Sequence, residues 1–66
     1  MTILTYRAIA ERHGSKWRIH VPGIDQRAHA FTMADIEVVA RSLIARFLDI
    51  PMYSFSVEVE LQRRPA

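Results

Sequence analysis

The sequence predicts an α+β fold of two layers. A three- to four-stranded, mainly antiparallel sheet carries one helix on one face, in the order β-β-β-α-β. Three observations lead there. Two runs of period-two alternation flank a turn at Arg12-His13-Gly14-Ser15. One segment, residues 33–48, repeats its apolar positions at helical spacing. A last run, residues 54–62, alternates apolar with polar side chains.

In residues 2–12, Leu4, Tyr6, Ala8 and Ala10 fall on one face; Ile3, Thr5, Arg7, Ile9 and Glu11 fall on the other. Gly14 then supplies the backbone freedom of a tight turn. Residues 16–21 alternate again, with Trp17, Ile19 and Val21 opposite Lys16, Arg18 and His20. Pro22-Gly23 stops this strand, because proline has no N–H for the ladder. Residues 26–31 alternate more weakly, Ala28 and Ala30 against Arg27, His29 and Phe31, and read as a short third strand.

For the helix, Thr32 is the expected N-cap, with Asp35 three positions on as a short form of the capping box. Phe31 is then the N′ residue, expected to staple onto the helix. Ile36, Val39, Ala40, Leu43, Ile44 and Phe47 form the apolar stripe; Glu37, Arg41, Ser42, Ala45 and Arg46 lie opposite. Asp35 and Glu37 at the start and Arg46 at the end suit the macrodipole. Pro51 closes the helix near residue 48, since the residue before a proline avoids helical angles. In the last strand Phe55, Val57, Val59 and Leu61 are apolar. The helix is expected on these and on Tyr6, Ala8, Trp17, Ile19 and Val21. The opposite face, with Thr5, Arg7, Ile9, Arg18, His20, Ser56, Glu58 and Glu60, is left open. Residues 1–66 make one domain, with an ordered core of about 2–62 and a polar tail, 63–66.

A chain of 66 residues is small for a self-sufficient core. Such domains usually add disulfides, a metal or a partner. The cysteine count of 0 excludes disulfides and thiolate zinc sites, so association with another chain is expected. Half of the residues are hydrophobic and 24% charged, which is globular rather than disordered. No apolar run approaches the roughly 18 residues of a membrane helix, and the N-terminal stretch lacks signal-peptide features. No membrane association is expected, and the cytoplasm is the expected location. The 9 basic and 7 acidic residues nearly balance, and no basic stripe stands out along the chain.

Catalytic equipment is sparse. His13, His20 and His29 form no HxxxH pair, and a zinc centre needs three or four converging ligands. His20 and His29, with Asp25, are the one combination able to meet; exposed polar strand residues are the simpler reading. Ser15, Ser42, Ser54 and Ser56 lack the Gly-x-Ser-x-Gly elbow. Gly14 and Gly23 are the only glycines, so no phosphate-cradling loop exists. Glu58 and Glu60 share one face of a strand and read as solvated. Trp17 is in phase with Ile19 and Val21 and belongs under the helix rather than on a base-stacking platform. A non-catalytic binding module is expected, with no cofactor and no metal.

The order of elements and several segments resemble the HicB antitoxin family, from about Tyr6 to Leu61. The resemblance rests on Tyr6-Arg7-Ala8-Ile9, on Trp17-Arg18-Ile19-His20-Val21-Pro22 and on the Thr32-led helix with Ala40-Arg41-Ser42-Leu43-Ile44-Ala45. Leu48-Asp49-Ile50-Pro51 and Ser54-Phe55-Ser56-Val57-Glu58-Val59 look like the close of actinobacterial-type members. It implies a partial RNase H-like β-β-β-α-β fold in a bacterial toxin–antitoxin system. Its carboxylate set for magnesium is not matched here, where only Glu11 ends the first strand. The implied function is neutralisation of a small HicA-type mRNA-cleaving toxin. Arg18, His20, Asp25, Arg27, His29, Glu58 and Glu60 are the candidate contact residues. A homodimer or higher homo-oligomer is expected from the exposed Ile9 and the strand edges. Family members that bind operators carry a further C-terminal module; with the sequence ending at Ala66, direct DNA binding is not expected. The alternative is a small nucleic-acid-binding domain, or an orphan oligomeric domain without a toxin.

Overall fold

The structure, a computed structural model, describes residues 4–62. Residues 2 and 3 of the expected first strand and the polar tail 63–66 lie outside the described residues. The chain folds as β1 (Thr5–His13), β2 (Lys16–Val21), β3 (Gln26–Ala30), α1 (Asp35–Leu48) and β4 (Ser56–Gln62). The four strands are ordered β3-β2-β1-β4. β1 pairs antiparallel with β2, and β2 with β3, while β4 lies parallel to β1, so the sheet is mixed. A parallel neighbour requires a crossover, and α1 provides it by traversing one face from the β3 edge to the β4 edge. Among the described residues no helix is long and apolar enough to cross a membrane.

The turns follow from local chemistry. Gly14 and Ser15 alone separate the paired His13 and Lys16. Gly14 has φ 66°, and a positive φ at the first turn position is the type II′ pattern, whose twist suits the flanking strands. Between β2 and β3, the Ile24 N–H donates to the Val21 carbonyl and the Asp25 N–H to the Pro22 carbonyl, both at 3.2 Å. Asp25 takes φ 50°, a left-handed conformation that a short polar side chain tolerates.

The core is one-sided and built from small residues. Its buried members are Ala8 and Ala10 of β1, Ile19 and Val21 of β2, Ala30 of β3, Ile36, Ala40, Ile44 and Ala45 of α1, and Phe55. Only Ile19, Ile36, Ile44 and Val21 stand out as large, fully buried side chains. Tyr6, Trp17, Val57 and Val59 pack against it as expected but are only half-buried, and Leu61 is exposed. Tyr6 meets the Phe55 ring edge-on, with centroids 5.7 Å apart.

Three helix expectations need correction. The α-helix begins at Asp35, and its flanking residue is Ala34, which has helical angles and no side-chain cap. Ahead of it runs a tight turn: the Asp35 N–H donates to both the Thr32 carbonyl (3.2 Å) and Thr32 Oγ1 (3.3 Å), and the Ile36 N–H donates to Met33 O at 3.3 Å. Thr32 therefore closes this turn instead of capping the α-helix. Phe31 is 71% exposed and is no staple. Ala30 faces the helix, so strand alternation turns Phe31 away, where Lys16 Nζ lies 5.8 Å from its ring centroid. The packed stripe is the Ile36–Ala40–Ile44 column, which brings Ala45 inside and leaves Phe47 exposed on the flank. Finally, Arg41, placed opposite the stripe, reaches the connection to β4 with its side chain only 25% exposed. One of its terminal nitrogens donates to the carbonyls of Met52 (2.7 Å) and Phe55 (2.9 Å), and the other to Glu37 Oε1 (3.3 Å). Its guanidinium carbon lies 5.4 Å from the Phe55 ring centroid.

The helix ends through Asp49, at φ 56° and ψ 50°, whose N–H donates to Ala45 O. The Ile50 N–H donates to the same carbonyl at 3.1 Å, a Schellman-type closure ahead of Pro51. Two outcomes follow. Arg41→Met removes charge-assisted bonds to two carbonyls and should cost about 2 kcal/mol in urea unfolding; a loss near zero would show that the clamp contributes nothing. Ala8→Leu overfills the seam under α1 and should cost roughly 1–3 kcal/mol, read as a lower melting temperature.

Candidate functional site: the open sheet face

Alternation that sends alanines and isoleucines toward α1 sends the polar half of every strand to the opposite face. No element covers that face among the described residues. The register aligns its side chains in rows across the sheet. One row reads Arg27, His20, Ile9, Glu60; the next reads His29, Arg18, Glu11, Gln62; Arg7 stands opposite Glu58. Arg7 Nε donates to Glu60 Oε2 at 2.6 Å. Both side chains are more than half exposed (62% and 51%), so solvent screens this pair strongly.

A shallow depression of about 510 Å³ lies at the centre of the face. Ile9 gives it an apolar floor; Glu11, Arg18, His20, Arg27 and Gln62 surround it. His20 Nε2 is shielded from solvent and has no hydrogen-bond partner. The nearest carboxylate oxygen, Asp25 Oδ1, is 3.7 Å away, beyond hydrogen-bond length. An unmet nitrogen beside two guanidinium groups makes this part of the face receptive to an incoming polar group.

The candidate residues separate into two ends of one surface. Arg18, His20, Arg27 and His29 come together on β2 and β3, and Asp25 sits in the adjoining turn. Glu58 and Glu60 lie on β4, beyond β1. The face is therefore basic toward β3 and acidic toward β4. His20 and His29 do not face each other, because Arg27 stands opposite His20 and Arg18 opposite His29. Among the described residues no group of three or more His, Asp or Glu side chains could hold a metal ion. Ile9, Glu11 and Gln62 complete the depression without being among the candidate contacts. Their strand phase signals the right face, but their convergence depends on the parallel β1–β4 register, which no local pattern reveals.

The chain matches no protein-family model, no curated protein and no solved structure. The site is thus read from its own chemistry. Replacing His20 by Leu removes a shielded, unpartnered nitrogen, so urea unfolding should show stability unchanged or raised by up to about 1 kcal/mol. A marked loss would mean that the imidazole is bonded in the folded chain.

Proposed function

We propose that this chain is a non-catalytic interaction module of the HicB type, acting in the cytoplasm. It binds a small HicA-type mRNA-cleaving toxin through the open sheet face. The observation that carries this reading is an uncovered face four strands wide, with opposite charge at its two ends. The β-β-β-α-β order agrees with what the resemblance implies. A basic, RNA-binding partner suits Glu58 and Glu60 on β4. An acidic group on the same partner suits Arg18 and Arg27 around the central depression. Opposed charge at the two ends fixes the orientation of the partner, and charge complementarity of this kind serves specificity and encounter rate more than raw affinity.

Co-expression with the neighbouring small open reading frame tests the proposal. The partner should co-purify and growth should be rescued, and Glu58→Lys combined with Glu60→Lys should weaken the complex about tenfold or more. Absence of both co-purification and rescue overturns it.

A second reading draws on the clustering of Lys16, Arg18 and Arg27 on β2 and β3, which is invisible in the linear sequence. In that reading the basic end holds single-stranded RNA. Three phosphate contacts predict a slope of about −2 for log affinity against log salt. Salt-insensitive or absent binding removes it.

A further inference from the structure

A second surface lies on the other side of the molecule, away from the open face. α1 carries two apolar stripes. Ile36, Ala40 and Ile44 are buried against the sheet, while Val38, Val39, Leu43 and Phe47 line the flank above β3. Val38 is 59% and Phe47 48% exposed. With Gln26 and Ala28 of β3 they border a groove of about 680 Å³. Packed helices lie about 8–10 Å apart and strands about 4.8 Å apart, so one helix roofs roughly two strands. A second helix beside α1 would need the sheet to continue past β3. The outer edge of β3 is unpaired, and Gln26–Ala30 contains neither proline nor lysine to block pairing.

We propose that the occupant of this groove is the α1 helix of a second copy of the chain, joined by antiparallel pairing of the two β3 edges. The four-stranded sheet then continues into its mate, and the two α1 helices lie antiparallel on the same face. A two-fold interface must be self-complementary, and this one is. Two identical edges supply each other's missing hydrogen bonds. With the helices centred on Ser42 and Leu43, Val38 of each copy meets Phe47 of the other, and the small Ser42 permits close approach.

Charge supports the same arrangement. Asp35 stands in the first turn of α1 and Arg46 in the last. Neither side chain has an ion-pair partner among the described residues. Antiparallel packing brings the acidic end of each helix to the basic end of the other, so both charges find partners twice over. The interface leaves Arg18, His20, Glu58 and Glu60 accessible, so the pair of chains presents two open faces.

Sedimentation velocity across micromolar concentrations, with circular dichroism as a folding control, tests the proposal. The wild-type chain should be a dimer. Phe47→Glu should weaken it roughly 30-fold or more without loss of secondary structure. Asp35→Arg and Arg46→Asp should each weaken the dimer, and the double variant should recover it. Because the chain has no cysteine, Ser42→Cys is a clean probe. Under copper–phenanthroline oxidation it should give a covalent dimer, while Ser15→Cys in the β1–β2 turn should not. A monomer throughout overturns the proposal. So does a dimer indifferent to Phe47→Glu, or one in which charge exchange gives no recovery.

Discussion

The closeness of α1 to the sheet is the constraint on which the rest of this structure depends. A chain with one helix and one sheet has a single contact layer in which to build a core. Here that layer is floored with alanine: Ala8 and Ala10 below, Ala40 and Ala45 above, Ala30 at the side. Small residues let the backbones approach, and Ile19, Val21, Ile36 and Ile44 are the large side chains fully buried between them. Of the aromatic residues only Phe55 is buried. Tyr6 and Trp17 settle at the rim, and Phe31, Phe47 and Tyr53 remain outside. The apolar flank of α1 is the counterpart of this economy, since a helix that sinks onto so narrow a seam leaves its other stripe uncovered.

The second organising contact is Arg41. The connection between α1 and β4 has little secondary structure of its own, yet it must deliver β4 to the correct register beside β1. A planar guanidinium with several donors can hold two carbonyls and an aromatic face at once, which a lysine cannot do. By fixing Met52 and Phe55 to the helix, Arg41 sets where β4 begins. The positions of Glu58 and Glu60, and hence the acidic end of the open face, follow from it.

Much of this was legible in the residues. Period-two alternation located all four strands, and the apolar stripe from Ile36 to Phe47 located the helix. The open face was legible too, because alternation assigns Arg18, His20, Glu58 and Glu60 to one side whatever the pairing. Three features were not. Strand order and the parallel β1–β4 pairing join residues far apart in the chain, where local patterns say nothing. The true centre of the helix stripe was hidden because Phe47 fits a 3.6-residue period as well as Ala45 does not, and only the narrow seam selects the smaller side chain. The role of Arg41, placed only opposite the apolar stripe, was hidden because a long charged side chain gives no sign, in sequence, of the carbonyls it will reach.

The parallel pairing of β4 with β1 also divides the sheet into a local and a long-range part. β1, β2 and β3 are linked by short turns and can assemble through local contacts alone. The second side of β1 is flanked only by β4, beyond the α1 crossover, which brings together residues as far apart as Arg7 and Glu60, 53 positions. Closing so long a loop carries a larger entropic cost than closing either short turn. The acidic end of the open face belongs to the strand held by this long-range pairing. Whenever β4 is detached, the chain shows the basic side of its face without the acidic one, and β1 becomes an edge strand.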